Sequence, residues 1–273
     1  MTGTEEHICK SCGNRFAGLY CNQCGERVIL PQDRSFRTFL SSILVALTFA
    51  DSKFFRSIGL VVVKPGFLSR EFAEGRRVRY LRPMSLFFLL NLIYFIFPII
   101  QLFSATLRTQ LNSFHGQYAV PAIASKMTAL GIRDINSFAL VYDQKTGGLA
   151  KMLVIVFAIL VSLPLNLIYR SRNRYFTDHV GLAVELVCFN LFINALVLSL
   201  VVALFGLGSY INEFILSSIL LTTNLYFIFR SGIMFYEDTG LKLVLRSVLM
   251  IGVLKIALEV YRAILFYVTI WSL

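Results

Sequence analysis

The sequence predicts an all-α integral membrane protein. About five transmembrane helices follow interfacial amphipathic helices and a small N-terminal four-cysteine zinc ribbon. Three observations predict this. Hydrophobic residues make up 57% of the 273, above the roughly 45–50% of soluble domains. The excess is gathered into blocks of about 18–25 residues, enough to cross a hydrocarbon core of about 30 Å as helix. Four of the five cysteines lie between positions 9 and 24, in two CxxC pairs.

The N-terminal segment HICKSCGNRFAGLYCNQCGER supplies Cys9, Cys12, Cys21 and Cys24. Each CxxC turn aims two sulfurs at one point, and four thiolates give the closed tetrahedral set that suits structural Zn2+. A redox dithiol pair is the alternative for the same spacing. His7 reads as a solvent-facing side chain. Thiols kept for metal argue for a reducing compartment, which places the N-terminus in the cytosol. The first residues, MTGTEEHICK, are polar and acidic, so no cleaved signal peptide is expected and the first span acts as the insertion signal. Cys188 stands alone in an apolar block and reads as a packing residue.

Residues 31–83 read as a linker, two interfacial helices and a basic juxtamembrane segment. The apolar stretches 39–50 and 54–63 are separated by Asp51 and Lys53, with Arg56 inside the second. Joining them into one span would bury three charges at about 2.5–3.5 kcal/mol each. Helices lying in the cytoplasmic interface avoid that cost, and a re-entrant hairpin is the second reading. In KPGFLSREFAEGRRVRYLRP, Pro65-Gly66 breaks the preceding helix. Arg70, Arg76, Arg77, Arg79 and Arg82 then crowd the approach to Met84, where anionic lipid headgroups would hold them.

Residues 84–273 read as the membrane domain, with spans at 84–107, 151–169, 180–205, 211–229 and 247–271 and an extracytoplasmic loop at 108–150. Within that loop 121–143 has helical patterning. Thirteen of the 26 Lys and Arg precede Met84, and most of the rest flank the spans. That placement is topogenic. Arg170, Arg172 and Arg174 put one loop in the cytoplasm, and Arg230, Lys242 and Arg246 put a second there. The N-terminus is then cytosolic and the C-terminus extracytoplasmic. The net charge of +11 therefore does not argue for nucleic acid. In residues 1–37, Lys10, Arg15, Arg27, Arg34 and Arg37 are offset by Glu5, Glu6, Glu26 and Asp33.

Ionisable groups inside spans are costly and mark candidate sites. Lys255, Glu259 and Arg262 fall on one helix face, four and three residues apart. Glu185, at a similar depth from the cytoplasmic side, is expected to pair with Lys255. Asn91, Asn190, Asn194 and Asn224 could serve the same set. The network reads either as glue between helices or as a polar path for an ion, proton or headgroup. Asp178 and His179 open the third span at its cytoplasmic mouth, as a helix cap or as a proton relay. Pro164 is expected to kink the second span. No HExxH, P-loop, GxSxG or dinucleotide-binding glycine motif is present, so no enzyme activity is expected.

Three blocks resemble a bacterial membrane family catalogued as domain of unknown function 3667. They are YCNQCGE, FFRSIGLVVVKPGFLSREFAEGRRVRYLRP and YFTDHVGLAVELVCF. The resemblance runs from Cys9 to about Tyr236, with Pro65, Gly66, Gly75, Arg77, Tyr80 and Pro83 at matching spacing. Phe72, Glu26, Asp178 and Glu185 depart from the family pattern, which favours tyrosine, glutamine, glutamate and histidine there. It implies a zinc-ribbon head on a multi-pass body in the bacterial inner membrane, and it carries no established activity. Two functions are compatible with this layout. One is an adaptor or scaffold whose ribbon docks a cytosolic protein. The other is a transporter, channel or lipid-handling protein that uses the polar network, alone or as an oligomer.

Overall fold

The computed structural model describes residues 6–9, 12–24, 53–76, 79–96, 100, 102–113, 116–170, 174–209 and 213–273. The predicted linker at 31–37, the apolar stretch 39–50 and Arg77 lie outside them. The chain divides into two compact units, Met1–Ser52 and Lys53–Leu273.

The described part of the first unit is a two-stranded antiparallel hairpin. β1 (Glu6–Ile8) pairs with β2 (Arg15–Ala17) in the register His7↔Phe16. Between the strands the Cys9 amide donates to Asn14 O and the Gly13 amide to Cys9 O, each at 2.9 Å. Gly13 takes a φ of 72°, a left-handed conformation that glycine enters without steric cost.

The second unit is helical. α1 covers residues 53–63, and α2 (Phe67–Ala73) follows the Pro65-Gly66 turn. Next come α3 (Pro83–Ile96), α4 (Leu107–Leu111), α5 (Gly116–Leu130) and α6 (Ile135–Ile168). α7 runs from Phe176 to Phe205, with a π-helical stretch at Asn190–Val197. α8 (Glu213–Met234) and α9 (Gly240–Ser272) complete the chain. α6 packs on both α7 and α9, α3 packs on α7, and α8 packs on α9. The core between them contains Phe87, Val161, Val187, Phe227, Leu254 and Tyr261.

Three helices are long and apolar enough to cross a membrane: Ile135–Ile168, Phe176–Phe205 and Phe214–Met234. These correspond to three of the five expected spans. The expected first span, 84–107, is not one helix. The described helix α3 (Pro83–Ile96) has 14 residues, about 21 Å of helix, short of the ~30 Å hydrocarbon core, and residues 104–106 are not helical. α9 is long enough, but it carries Lys255, Glu259 and Arg262 through its middle and is not among the three.

The expected 108–150 loop is mostly helix. α6 begins 16 residues before the expected span, where the Asp134 carboxylate accepts the Ser137 amide at 2.9 Å. Its N-terminal half buries Phe138, Tyr142 and Thr146, one face at four-residue spacing. With Leu107, Ala119, Ile123 and Phe266, the aromatic pair Phe138 and Tyr142 forms a second small core. The helical patterning at 121–143 belongs to two helices, separated by Gly131 at φ 69°. α6 stays helical through Pro164. α1 places Ile58 and Val61 in the main core while Phe55 stays exposed.

Candidate functional site

The first candidate centre is the cysteine set. The sulfur atoms of Cys9, Cys12, Cys21 and Cys24 all lie within 4.8 Å of one another. Cys9 Sγ is 3.4 Å from Cys24 Sγ, and Cys12 Sγ is 3.6 Å from Cys21 Sγ. Metal–sulfur bonds of about 2.3 Å would put the sulfurs of a tetrahedral centre about 3.8 Å apart, so the four fit around one ion. Cys9 and Cys21 are buried with Phe16, while Cys12 and Cys24 face outward. The backbone N–H groups of Cys24 and, more weakly, Gln23 pull the Cys21 thiol down to about 6. A thiol so placed is largely thiolate at neutral pH, the form that binds metal. His7 packs on the Phe16 ring at 6.0 Å and is not part of the sulfur cluster.

The second centre gathers segments far apart in the chain at one end of the helical body. Glu185 on α7 is fully buried. Its Oε1 accepts the Gly66 amide at 2.8 Å, and its Oε2 accepts the Ser69 amide at 2.8 Å and the Ser69 hydroxyl. The first turn of α2 leaves amides without helical partners, and the carboxylate from α7 takes them. Gly66 lets the chain come this close. At φ 85°, a Cβ on it would lie 3.0 Å from both Cα and Cβ of Ser231.

Around this node the polar groups are matched. His179 Nδ1 is 2.7 Å from the Tyr236 hydroxyl. Tyr236 stacks on Tyr169 with centroids 3.6 Å apart, and Arg246 lies over the other ring of that pair, 5.1 Å from the Tyr169 centroid. Arg246 also donates to both carboxylate oxygens of the fully buried Asp238, at 2.9 and 2.7 Å. A void of about 10 Å³ beneath is lined by Tyr169, Ser231 and Tyr236 among apolar neighbours, room for about one water molecule. Asp178 caps α7, its carboxylate accepting the Tyr175 amide at 3.0 Å.

The basic cluster divides. Arg70 pairs with Glu74 and Glu237, and Arg76 pairs with Glu71 and Glu74. Arg76 and Arg70 in turn hold the Glu71 and Glu74 carboxyls below their usual range. Arg79 and Arg82 are exposed. Two of the five predicted lipid-contacting arginines are therefore engaged in ion pairs within the chain.

The predicted intramembrane network separates into four parts. Among the described residues Glu185 makes no ion pair with Lys255, because its oxygens are given to α2. On α9, Glu259 Oε1 is shared by Lys255 at 3.3 Å and Arg262 at 3.2 Å. The asparagines form a cluster between α7 and α8. Asn190 Nδ2 donates to Asn224 Oδ1 at 2.9 Å, while Asn224 and Asn194 donate to Asn190 Oδ1 at 3.0 and 2.8 Å. Thr223 exchanges hydrogen bonds with Asn194. Asn91 lies apart, donating to the Lys151 carbonyl at 3.0 Å. Cys188 is buried with its sulfur 3.7 Å from the Pro83 carbonyl, a packing position.

Sequence reasoning missed Ser69, Tyr236, Asp238 and Arg246 as one assembly. Its available signal was the clustering of YEDTG with a downstream arginine eight residues on. No curated protein and no solved structure matches the chain. Residues 51–95, which contain α1, α2, the Pro65-Gly66 turn and most of α3, match the model of the family described as "Protein of unknown function (DUF3667)".

Proposed function

We propose that the chain is a membrane adaptor, in which a four-cysteine module holding one structural Zn2+ recruits a cytosolic protein to a helical membrane anchor. The observation that carries this reading is the sulfur geometry. Four thiol sulfurs within 4.8 Å of one another close the coordination sphere, leaving no position for water or substrate, so the metal holds shape and does no chemistry. The helical body supports the same reading. Glu185 and Asp238 each have both carboxylate oxygens engaged by donors of the chain itself. A cytosolic N-terminus in a bacterial inner membrane, with Arg79 and Arg82 against anionic headgroups, completes the proposal.

The test is crosslinked co-purification from native membranes with the full chain, a version lacking residues 1–30, and Cys21→Ser. Zinc is expected at about one ion per full chain and lost from both variants at unchanged membrane level. A protein partner is expected to vanish with it. Identical partner lists would sink the docking role, and absence of zinc from the full chain would sink the metal.

A further inference from the structure

We propose that the basic corner where α1 meets the start of α3 binds the phosphate of one anionic phospholipid, whose acyl chain lies along the outer face of α3. This deepens the membrane-anchor reading and rests on it. It gives Arg79 and Arg82 a defined ligand, shared with Lys53 and Arg56.

A short run of hydrogen bonds builds the corner. The Leu81 amide donates to the buried Ser57 hydroxyl at 2.9 Å, and that hydroxyl donates to the Lys53 carbonyl at 2.7 Å. Ser57 thereby fastens α1 to the segment entering α3, and it brings the backbone of Lys53 and Arg56 beside that of Arg79 and Arg82. Arg56, Arg79 and Arg82 are exposed and Lys53 is half-buried. The acids within residues 53–96 are Glu71 and Glu74, and both are taken by Arg70 and Arg76. Among the described residues, none of the four corner cations forms an ion pair.

The corner also lies deep. α6 and α8 end, and α7 and α9 begin, in one layer, where His179 meets Tyr236, Tyr236 stacks on Tyr169 and Arg246 covers Tyr169. α3 begins elsewhere. The Pro83 carbonyl is 3.7 Å from the Cys188 sulfur, nine residues along α7 from His179, or about 14 Å of helix. Cations that start so far below the helix ends face hydrocarbon unless a counter-charge is brought to them. A phosphate drawn down from the leaflet supplies it, met by side chains long enough to reach upward.

α3 provides the matching apolar half. Met84, Phe88, Leu92 and Phe95 are exposed at spacings of four, four and three, hence on one face. That face starts two residues after Arg82 and runs about 17 Å, close to half of a ~30 Å hydrocarbon core. Lys151 closes its far end, 4.7 Å from the centroid of the Phe95 ring. Positive charge at one end, followed by one leaflet's depth of apolar surface, complements a phospholipid with an anionic head. A soluble phosphate would use the first and leave the second idle.

The test uses the full-length chain with Trp271→Phe, which removes its one tryptophan, and with Phe88→Trp as reporter. It is reconstituted in phosphatidylcholine vesicles containing a small fraction of phosphatidylglycerol or phosphatidylcholine brominated on the same acyl chains, since bromine quenches an adjacent indole. The phosphatidylglycerol is expected to quench at about tenfold lower mole fraction. Arg56→Gln with Arg82→Gln is expected to abolish that preference while quenching by the phosphatidylcholine stays. Arg56→Lys with Arg82→Lys is expected to keep it, as is Lys242→Gln, which removes an exposed cation on α9. Equal quenching by the two lipids, a preference indifferent to the glutamine pair, its loss in the lysine pair or with Lys242→Gln, or its reversal by millimolar inorganic phosphate would each overturn the proposal. Equal quenching removes this site and leaves the membrane anchor in place. Absence of quenching by either lipid would instead put α3 outside lipid, and the anchor reading would fall with the site.

Discussion

Glu185 satisfies three donors from another helix, and its removal strands all three inside the core. Backbone amides of Gly66 and Ser69 cannot be substituted away, so the loss falls on buried groups that have no other partner. Glu185→Ala is expected to destabilise the body by about 3 kcal/mol or more, read as a lower midpoint of denaturation in detergent micelles. Lys255→Ala, which removes one exposed partner of a shared carboxylate, is expected to shift the same midpoint far less. Equal shifts would mean that the α2 contact is incidental. The polar rim beside it, from Asp238 through Arg246 to the stacked tyrosines, is of the same kind, in that one buried charge depends on one well-placed partner.

At the scale of elements, α7 and α8 are joined by the asparagine cluster, where every side-chain amide proton of Asn190, Asn194 and Asn224 is donated. Asn194→Ala is expected to cost about 1 kcal/mol in unfolding by a denaturing detergent, without loss of helix content. A change below about 0.2 kcal/mol would make the cluster decoration, since membrane hydrogen bonds average about 0.6 kcal/mol. Much of this layer was legible in the sequence. The paired CxxC spacing announced a four-sulfur centre, and the runs 151–169, 180–205 and 211–229 announced helices, because both signals are local. Other features were not. Hydropathy carries on past Ile96, while residues 104–106 are not helical, so the first span read as one helix. Lys145 and Thr146 read as loop, although Phe138, Tyr142, Thr146 and Ala150 mark a buried face at four-residue intervals. The partner of Glu185 was hidden for a deeper reason. Backbone amides are present at every position and leave no mark in a sequence, so counting depth pointed to Lys255 instead.

Over the whole molecule, the two basic loops meet. Tyr169, at the end of α6, stacks on Tyr236, and Arg246 at the start of α9 reaches back over it. The turn after α7 at Gly206 lies a full helix length away. A reporter inserted within 170–175 and one within 235–239 are expected to sense the same compartment, and one at 207–209 the opposite one. Opposite signals from the first two insertions would be incompatible with a helical body that brings those loops into ring-to-ring contact.

The carboxylate of Glu185 and the amides it holds are separated by 119 and 116 positions. On a ribosome that gap is time. At about 5–20 residues per second, α2 emerges roughly 6–24 s before the chain has made its acceptor. Throughout that interval Gly66 and Ser69 must take hydrogen bonds from water or headgroups. The turn at Pro65-Gly66 therefore has to wait at the aqueous boundary, and it can enter the protein interior only once α7 has been threaded beside it.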